Sequence, residues 1–468
     1  MSNSIVKGFL LLVLMAWMSV PSVQGQNESS EQTPSIAEIR SNAEAGDAEA
    51  QLNLGFRYHD GEGVPQDYAE ALKWLRMAAE QGIPVAQGAL ATMYVLGEGV
   101  AKDFQEAMKW YRLAADQQFP PAQCDVGIMY RDGEGVPQDF SEAARWFRLA
   151  AEQGNSLCQS NLGELYYAGR GVPQDDAEAV KWFRLAAEQG DAWAQYRLGV
   201  SYFEGRGVRK DYAEAAKWFR LAAEQGNPLG QANLGRIYSK GQGVPKDFLL
   251  AHMWLNLAAA ETSGSLKVEV VKLRDSASKK LTPQQLTETW KQGTEIAIAA
   301  GMETLRFSPG ENWVVGYNGN SGDVSLTEMV PKGETVKNWT EMITLARHRN
   351  VSGENLDPVA KASPDISKKG CTRGHHFEEK ERGEIGGHPM FIVVVRCDSA
   401  AKRPGQDKSV QGKPETYVSL TIGGRQDVYT IQRAARRSDL SDATIREWID
   451  FLKTAQVCNS QIQPSPCK

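Results

Sequence analysis

Six tryptophans stand at one constant spacing: Trp74, Trp110, Trp146, Trp182, Trp218 and Trp254, each 36 residues after the last. A single closed core has no reason to space a residue so evenly. A stack of like units does, because each unit must offer the same knob to the same hole in its neighbour. The spacing therefore constrains about half of the chain to a solenoid. Glycines (Gly63, Gly99, Gly135, Gly171, Gly207, Gly243), aspartates (Asp67, Asp103, Asp139, Asp175, Asp211, Asp247), tyrosines (Tyr58, Tyr94, Tyr130, Tyr166, Tyr202, Tyr238) and glutamines (Gln51, Gln87, Gln123, Gln159, Gln195, Gln231) keep the same period.

Each unit reads as two helices. Ala50, Leu54, Gly55 and Tyr58 recur at helical spacing in the first, which stops in the turn Gly61-Glu62-Gly63. Asp67 is placed to cap the second, and Glu70 three residues on is placed to complete a capping box. Ala71, Trp74 and Ala78 form the expected buried stripe, with Trp74 filling the space that Gly55 and the alanines leave. Arg76, Arg112, Arg148, Arg184 and Arg220 each precede an acid by four residues, and read as a solvated convex face of ion pairs.

The pattern A-x-A-Q-x-x-L-G-x-x-Y, G-x-G-V-x-x-D, A-x-x-W-x-x-x-A-A-x-x-G resembles the Sel-1-like repeat, a relative of the tetratricopeptide repeat, over residues 36–262. Departures are local: Ala91 replaces a first-helix glycine, and Ala101 and Arg209 replace the turn proline. The resemblance implies a right-handed α/α superhelix that acts as a protein- or peptide-binding adaptor. It also implies that the first helices line the concave face, with the residue before each Leu-Gly pair pointing into the groove. That register holds Asn53, Ala89, Asp125, Asn161, Arg197 and Asn233. An asparagine amide both donates and accepts, so a row of them suits the backbone of an extended peptide; the alternative is that asparagine merely solvates the surface. Phe56, Ile128, Trp193 and Arg236 add a mixed lining. The residues assigned to partner binding are Asn53, Asp125, Asn161, Trp193, Arg197, Asn233 and Arg236.

Lys7 followed by the apolar run Gly8–Trp17 reads as a signal peptide cleaved after Gly25. Export to a periplasm, or secretion, is the expectation, with no stable membrane anchor after cleavage. Residues 26–34 read as a disordered linker, and Ser35 with Glu38 as a capping box opening a lone helix that caps the first repeat. Residues 263–300 read as a helical cap: one helix over 265–279, then another from Thr282 to Ala299. From Gly301 to Lys468 the chain changes to short alternating segments. Residues 323–330, 391–395 and 417–422 read as strands, and 442–455 as an amphipathic helix with Ile445, Trp448, Ile449 and Leu452 on one face. The expected architecture is multidomain: the all-α solenoid of six repeats, then an α+β domain with a mostly antiparallel sheet. Pro331–Met342 and the tail from Tyr429 through Trp448 to Cys467 resemble an uncharacterised domain of exported proteobacterial proteins, and the fold resembles that of the Mog and PsbP proteins.

The six cysteines suit an oxidising compartment. Cys371 with Cys397, and Cys458 with Cys467, are one of three possible pairings of the C-terminal four. For Cys124 and Cys158, in first helices, a buried thiol and a bond are equally open. His375, His376 and His388 match no compact zinc pattern and read as polar loop residues, so no metal site and no cofactor is expected. A net charge of −6 with mixed signs argues against a nucleic-acid partner. No G-x-S-x-G or S-x-x-K with its partner motifs stands in a fitting context, so the leading reading is a non-enzymatic adaptor. An enzyme with a catalytic C-terminal domain around His375, His376 and Glu378, and a secreted host-binding effector, are the rival readings.

Overall fold

A computed structural model of the protein describes residues 34–300, the segment 442–453 and nine strands between residues 304 and 458. The expected signal peptide and most of the expected linker lie outside the described residues. A lone helix α1 (Ile36–Glu44) precedes six helix pairs: α2 (Ala48–Asp60) and α3 (Tyr68–Glu80), α4 (Pro84–Leu96) and α5 (Phe104–Asp116), α6 (Pro120–Asp132) and α7 (Phe140–Glu152), α8 (Ser156–Ala168) and α9 (Asp176–Glu188), α10 (Ala192–Glu204) and α11 (Tyr212–Glu224), α12 (Pro228–Lys240) and α13 (Phe248–Glu261). This is a helical solenoid of repeats. Two compact units divide the chain, Met1–Ser201 with Gly205–Arg209, and Tyr202–Glu204 with Lys210–Lys468.

In the first unit the period has a direct structural cause. The side-chain amide of Gln51 donates to the Ala43 carbonyl at the end of the preceding helix (3.0 Å), and its Oε1 accepts from Gln81 (2.8 Å). Gln87, Gln123 and Gln159 repeat both bonds, to Ala79, Ala115 and Ala151, and from Gln117, Gln153 and Gln189. All four first-helix glutamines are buried, so each amide must be matched internally, and this fixes how far each repeat is offset from the last. The turn glycines answer a second constraint: a Cβ on Gly99 would lie 2.3 Å from the Tyr68 carbonyl oxygen, where the preceding repeat's second helix begins.

The expected stripe of Ala71, Trp74 and Ala78 is buried, and the residue after the tryptophan joins it. The fully buried side chain of each second helix is the one after the tryptophan: Leu75, Phe147 and Phe183 are 0–1% exposed. They press on first-helix glycines, and a Cβ on Gly127 or Gly163 would stand 2.6–2.7 Å from Phe147 or Phe183. Ala91 is accommodated where Tyr111 takes that place and bonds Thr92 through its hydroxyl (2.8 Å). Trp110 and Trp182 are only half-buried. Trp74, Trp146 and Trp254 are buried in the layer, whereas Trp110 and Trp182 close its edge.

Two expected surface motifs take other partners. Asp67 caps α3 as predicted, accepting from Ala69 and Glu70. Its own N–H already donates to the Tyr58 carbonyl (2.8 Å), so Glu70 has no cap to close and accepts instead from the Trp74 indole (3.1 Å). Glu106 does the same for Trp110. Three of the arginines turn to the next repeat: Arg76, Arg112 and Arg148 donate to the hydroxyls of Tyr94, Tyr130 and Tyr166 and lie over their rings. A phenolic oxygen held on a neighbouring helix is a fixed acceptor, whereas an exposed carboxylate keeps its water. Arg40 on α1 bonds Tyr58 in the same way (2.6 Å), which marks α1 as a second-helix equivalent; its capping box is present and Ile39 and Ala43 are buried against Leu54 and Trp74.

In the second unit, α14 (Gly264–Ser278) and α15 (Pro283–Ala299) pack against α13, Val270 joining Leu255, Ala258 and Ala259. The strands are β1 (Thr304–Arg306), β2 (Trp313–Ser321), β3 (Val324–Pro331), β4 (Glu341–Arg349), β5 (Cys371–Ile385), β6 (His388–Ala400), β7 (Glu415–Gly423), β8 (Asp427–Ala435) and β9 (Gln456–Cys458). Strands β2 to β8 form one antiparallel sheet in the order β2-β3-β4-β8-β7-β6-β5, and β1 pairs with β9. Met390, Ile392 and Val394 alternate as buried positions along β6, and α16 (Asp442–Leu452) lies against β7 and β8 with Ile445, Trp448, Ile449 and Leu452 buried. His375, His376 and His388 stand in β5 and β6, not in a loop, because β5 pairs along nearly its full length with β6. The same register sets Cys371 opposite Ala400 and Cys397 opposite His375; these cysteines' side chains, with Cys458 and Cys467, lie outside the described residues, as do the histidines'.

Cys124 and Cys158 form a disulfide across α6 and α8, with Cα atoms 5.6 Å apart and both residues fully buried. Closing a loop of 34 residues constrains the unfolded chain by about 3–4 kcal/mol. Urea unfolding of Cys124→Ala/Cys158→Ala is expected to show a loss of that order with an unchanged helical spectrum. Equal midpoints for native and variant protein would contradict it.

Candidate functional site

The candidate register lies one residue before the deepest first-helix position in every repeat. Leu54, Leu90, Val126, Leu162, Leu198 and Leu234 are 0% exposed and anchor the helices. Their neighbours Asn53, Asp125, Asn161, Arg197 and Asn233 are half-buried, while Ala89 is buried at 9% exposure. Position in the helix thus explains the pattern: one step round from the core stripe lies a face that is partly open.

In the first unit, the asparagines are less free than a bare row of amides. Asn53 Oδ1 accepts from Arg57 Nε (2.7 Å). Asn161 donates to the Leu157 carbonyl (2.8 Å) and accepts from Arg131 Nη1 of the preceding repeat. Arg131 also makes a two-pronged pair with Asp132. The Asn161 amide keeps one N–H for a ligand, since an amide nitrogen carries two.

Repeats four and five hold the densest cluster in this unit. Glu164 accepts from the Trp193 indole (3.0 Å) and pairs with Arg197, whose Nη2 lies 3.0 Å away. The Arg197 guanidinium sits 4.0 Å from the Tyr167 ring centre, and that of Arg206 sits 3.7 Å from it. Arg206 in turn pairs with Asp176. Trp193 nevertheless remains 42% exposed. The structure therefore brings the predicted Trp193 and Arg197 together, through Glu164, which sequence reasoning missed. Its signal was available: Glu164 follows Asn161 by three residues, on the same face of α8.

Asp125 is the unmatched member. Its Oδ2 is enclosed and accepts no hydrogen bond. The Tyr111 hydroxyl, which feels the Asp125 charge, is already committed: Thr92 donates to the Gly88 carbonyl (3.0 Å), so Tyr111 donates to Thr92. Burial pushes the Asp125 carboxyl up to about 8.

In the second unit, Asn233 donates to the Leu229 carbonyl (3.0 Å). Arg236 lies over Phe203 (5.4 Å) and 3.7 Å from Glu269 on α14. Among the described residues there is no group of three or more histidine, cysteine or acidic side chains fit for a metal, and no helix long and apolar enough to cross a membrane.

The family description "Sel1 repeat" matches residues 48–83, 84–119, 120–155, 156–191, 194–227 and 228–263. Among solved structures, the chain is similar to a protective antigen of uropathogenic Escherichia coli displaying an SLR fold, at 36% identity and a TM-score of 0.50. That match covers 56% of each chain, so this protein spans little more than half the length of that relative. It is also similar to a Sel1 repeat protein from Oxalobacter formigenes, at 36% identity and a TM-score of 0.44, over 48% of this chain and 98% of that one. A sel1 repeat protein from Klebsiella pneumoniae matches at 22% identity and a TM-score of 0.31, over 44% of this chain and 99% of that one. No curated protein matches the chain.

The raised Asp125 carboxyl carries a signed consequence. Between about pH 4 and pH 8 the unfolded chain gives up this proton while the folded chain keeps it, so stability falls as pH rises through that window. Asp125→Asn removes the effect. Thermal melts are expected to show the variant gaining stability over the native protein from pH 5 to pH 8, with little difference near pH 4. A difference that does not vary with pH would contradict the burial of this group.

Proposed function

Because the chain belongs to the Sel1 repeat family, we propose that it is a non-catalytic adaptor that binds a protein or peptide on the face of its first helices. Proteins of this family are generally interaction scaffolds. One observation carries the placement: Trp193 is exposed on a first helix while Glu164 holds both its indole and Arg197 in fixed positions. A tryptophan and an arginine whose rotamers are already set lose little entropy on binding, and these residue types dominate interface energetics. The half-buried Asn161, with an N–H to spare, adds a contact for an extended backbone.

The protein acts outside the cytoplasm in this reading, in a periplasm or beyond it. The apolar run Gly8–Trp17 supports export, and the Cys124–Cys158 bond supports an oxidising compartment. The strands β2 to β8 with α16 offer a second recognition surface.

Affinity capture from a periplasmic extract tests this function. The triple variant Asn161→Ala, Arg197→Ala, Asn233→Ala, shown folded by its helical spectrum, is expected to lose a partner that the native protein retains. Retention of the same partner by both baits would remove the first-helix face from the account.

A further inference from the structure

Asp125 stands on the proposed binding face, between two positions that leave it uncovered. The equivalent rung of repeat two is Ala89, whose methyl group offers no donor and little bulk. The equivalent rung of repeat four is Asn161, whose oxygen is taken by Arg131 and whose nitrogen bonds Leu157. The guanidinium nearest in sequence, Arg131, spends its Nε and Nη2 on Asp132 and its Nη1 on Asn161. Tyr111 gives its proton to Thr92. Among the described residues no donor bonds the enclosed Oδ2 of Asp125, although the residue is open in part on this face. An enclosed carboxylate without a donor is costly, and one charge-assisted bond from outside would relieve it.

We propose that Asp125 is a subsite for the cationic end of a partner side chain, a guanidinium or ammonium carried on an alkyl stem. The stem has an apolar track: Ala89 lies beside the carboxylate register, and the half-buried Ile128 follows Asp125 by three residues on α6. Glu134 adds a second acid within electrostatic reach of the same Tyr111 that feels Asp125, so the local field favours a cation. The subsite rests on the adaptor reading and sharpens it: a bound segment carries a basic residue at the position that crosses repeat three.

The test uses n-butylguanidinium as the probe and neutral n-butylurea as its isostere, at about pH 8.5, where Asp125 is ionised. Methyl resonances of Ala89 and Ile128 are followed in the native protein and in Asp125→Asn, whose melt establishes that it is folded. The expected result is saturable shifts with the guanidinium alone, weakened at least about tenfold in Asp125→Asn. Shifts that are absent, that match those with n-butylurea, or that survive in Asp125→Asn would overturn the subsite and leave Asp125 a buried carboxyl of the repeat. The adaptor reading fails separately, when capture does not depend on Asn161, Arg197 and Asn233.

Discussion

The buried glutamine chain is the interaction on which the first unit depends. Each amide answers two needs at once: it occupies a carbonyl left open at the end of the preceding helix, and it accepts from the glutamine that ends the next second helix. A net hydrogen bond contributes about 1 kcal/mol, but an unmatched buried amide costs about 1–3 kcal/mol. Loss of one glutamine therefore strands both a carbonyl and a neighbouring amide. The helices cannot slide along one another without breaking several such bonds together, and this makes the offset between repeats uniform.

A uniform offset has a consequence for function. Where leucine, glycine, alanine and glutamine are all committed to stacking, the sequence can vary only where stacking does not reach. The register Asn53, Ala89, Asp125, Asn161, Arg197, Asn233 is such a place, and it changes in size, charge and hydrogen-bonding character from rung to rung. The scaffold supplies positions at a constant interval, and the departures from the period supply the chemistry. The exposed Trp193 with Arg197, and the unmatched Asp125, are the two strongest departures in the first unit.

Much of this was legible from spacing alone. The helix ends, the aspartate caps and the lone first helix follow from short-range rules that act within one turn, and the helices at 264–278 and 283–299 lie within a residue or so of their expected bounds. Partners one repeat away were harder to read. Arg76 prefers Tyr94 over Glu80, and Glu70 prefers the Trp74 indole over a capping role, because a backbone bond from Asp67 to Tyr58 had already taken the cap's place. Trp74 is buried as its place in the stripe suggests, but the space beside the first-helix glycines goes to the smaller residue that follows the tryptophan, Leu75, Phe147 or Phe183. The bond between Cys124 and Cys158 depends on the closeness of two helices that are far apart in sequence, which periodicity does not report. In the candidate site, Glu164 was missed because a charged residue on an amphipathic helix looks like solvated surface until its two partners are seen.

Function turns on which helices meet the partner. A photo-crosslinking residue in place of Asn161, and in a second variant in place of Leu185, which is 45% exposed on a second helix, separates the faces directly. Irradiation with the captured partner is predicted to yield a crosslinked product at position 161 and none at 185. Crosslinking at 185 and none at 161 would contradict the first-helix face as the site of binding.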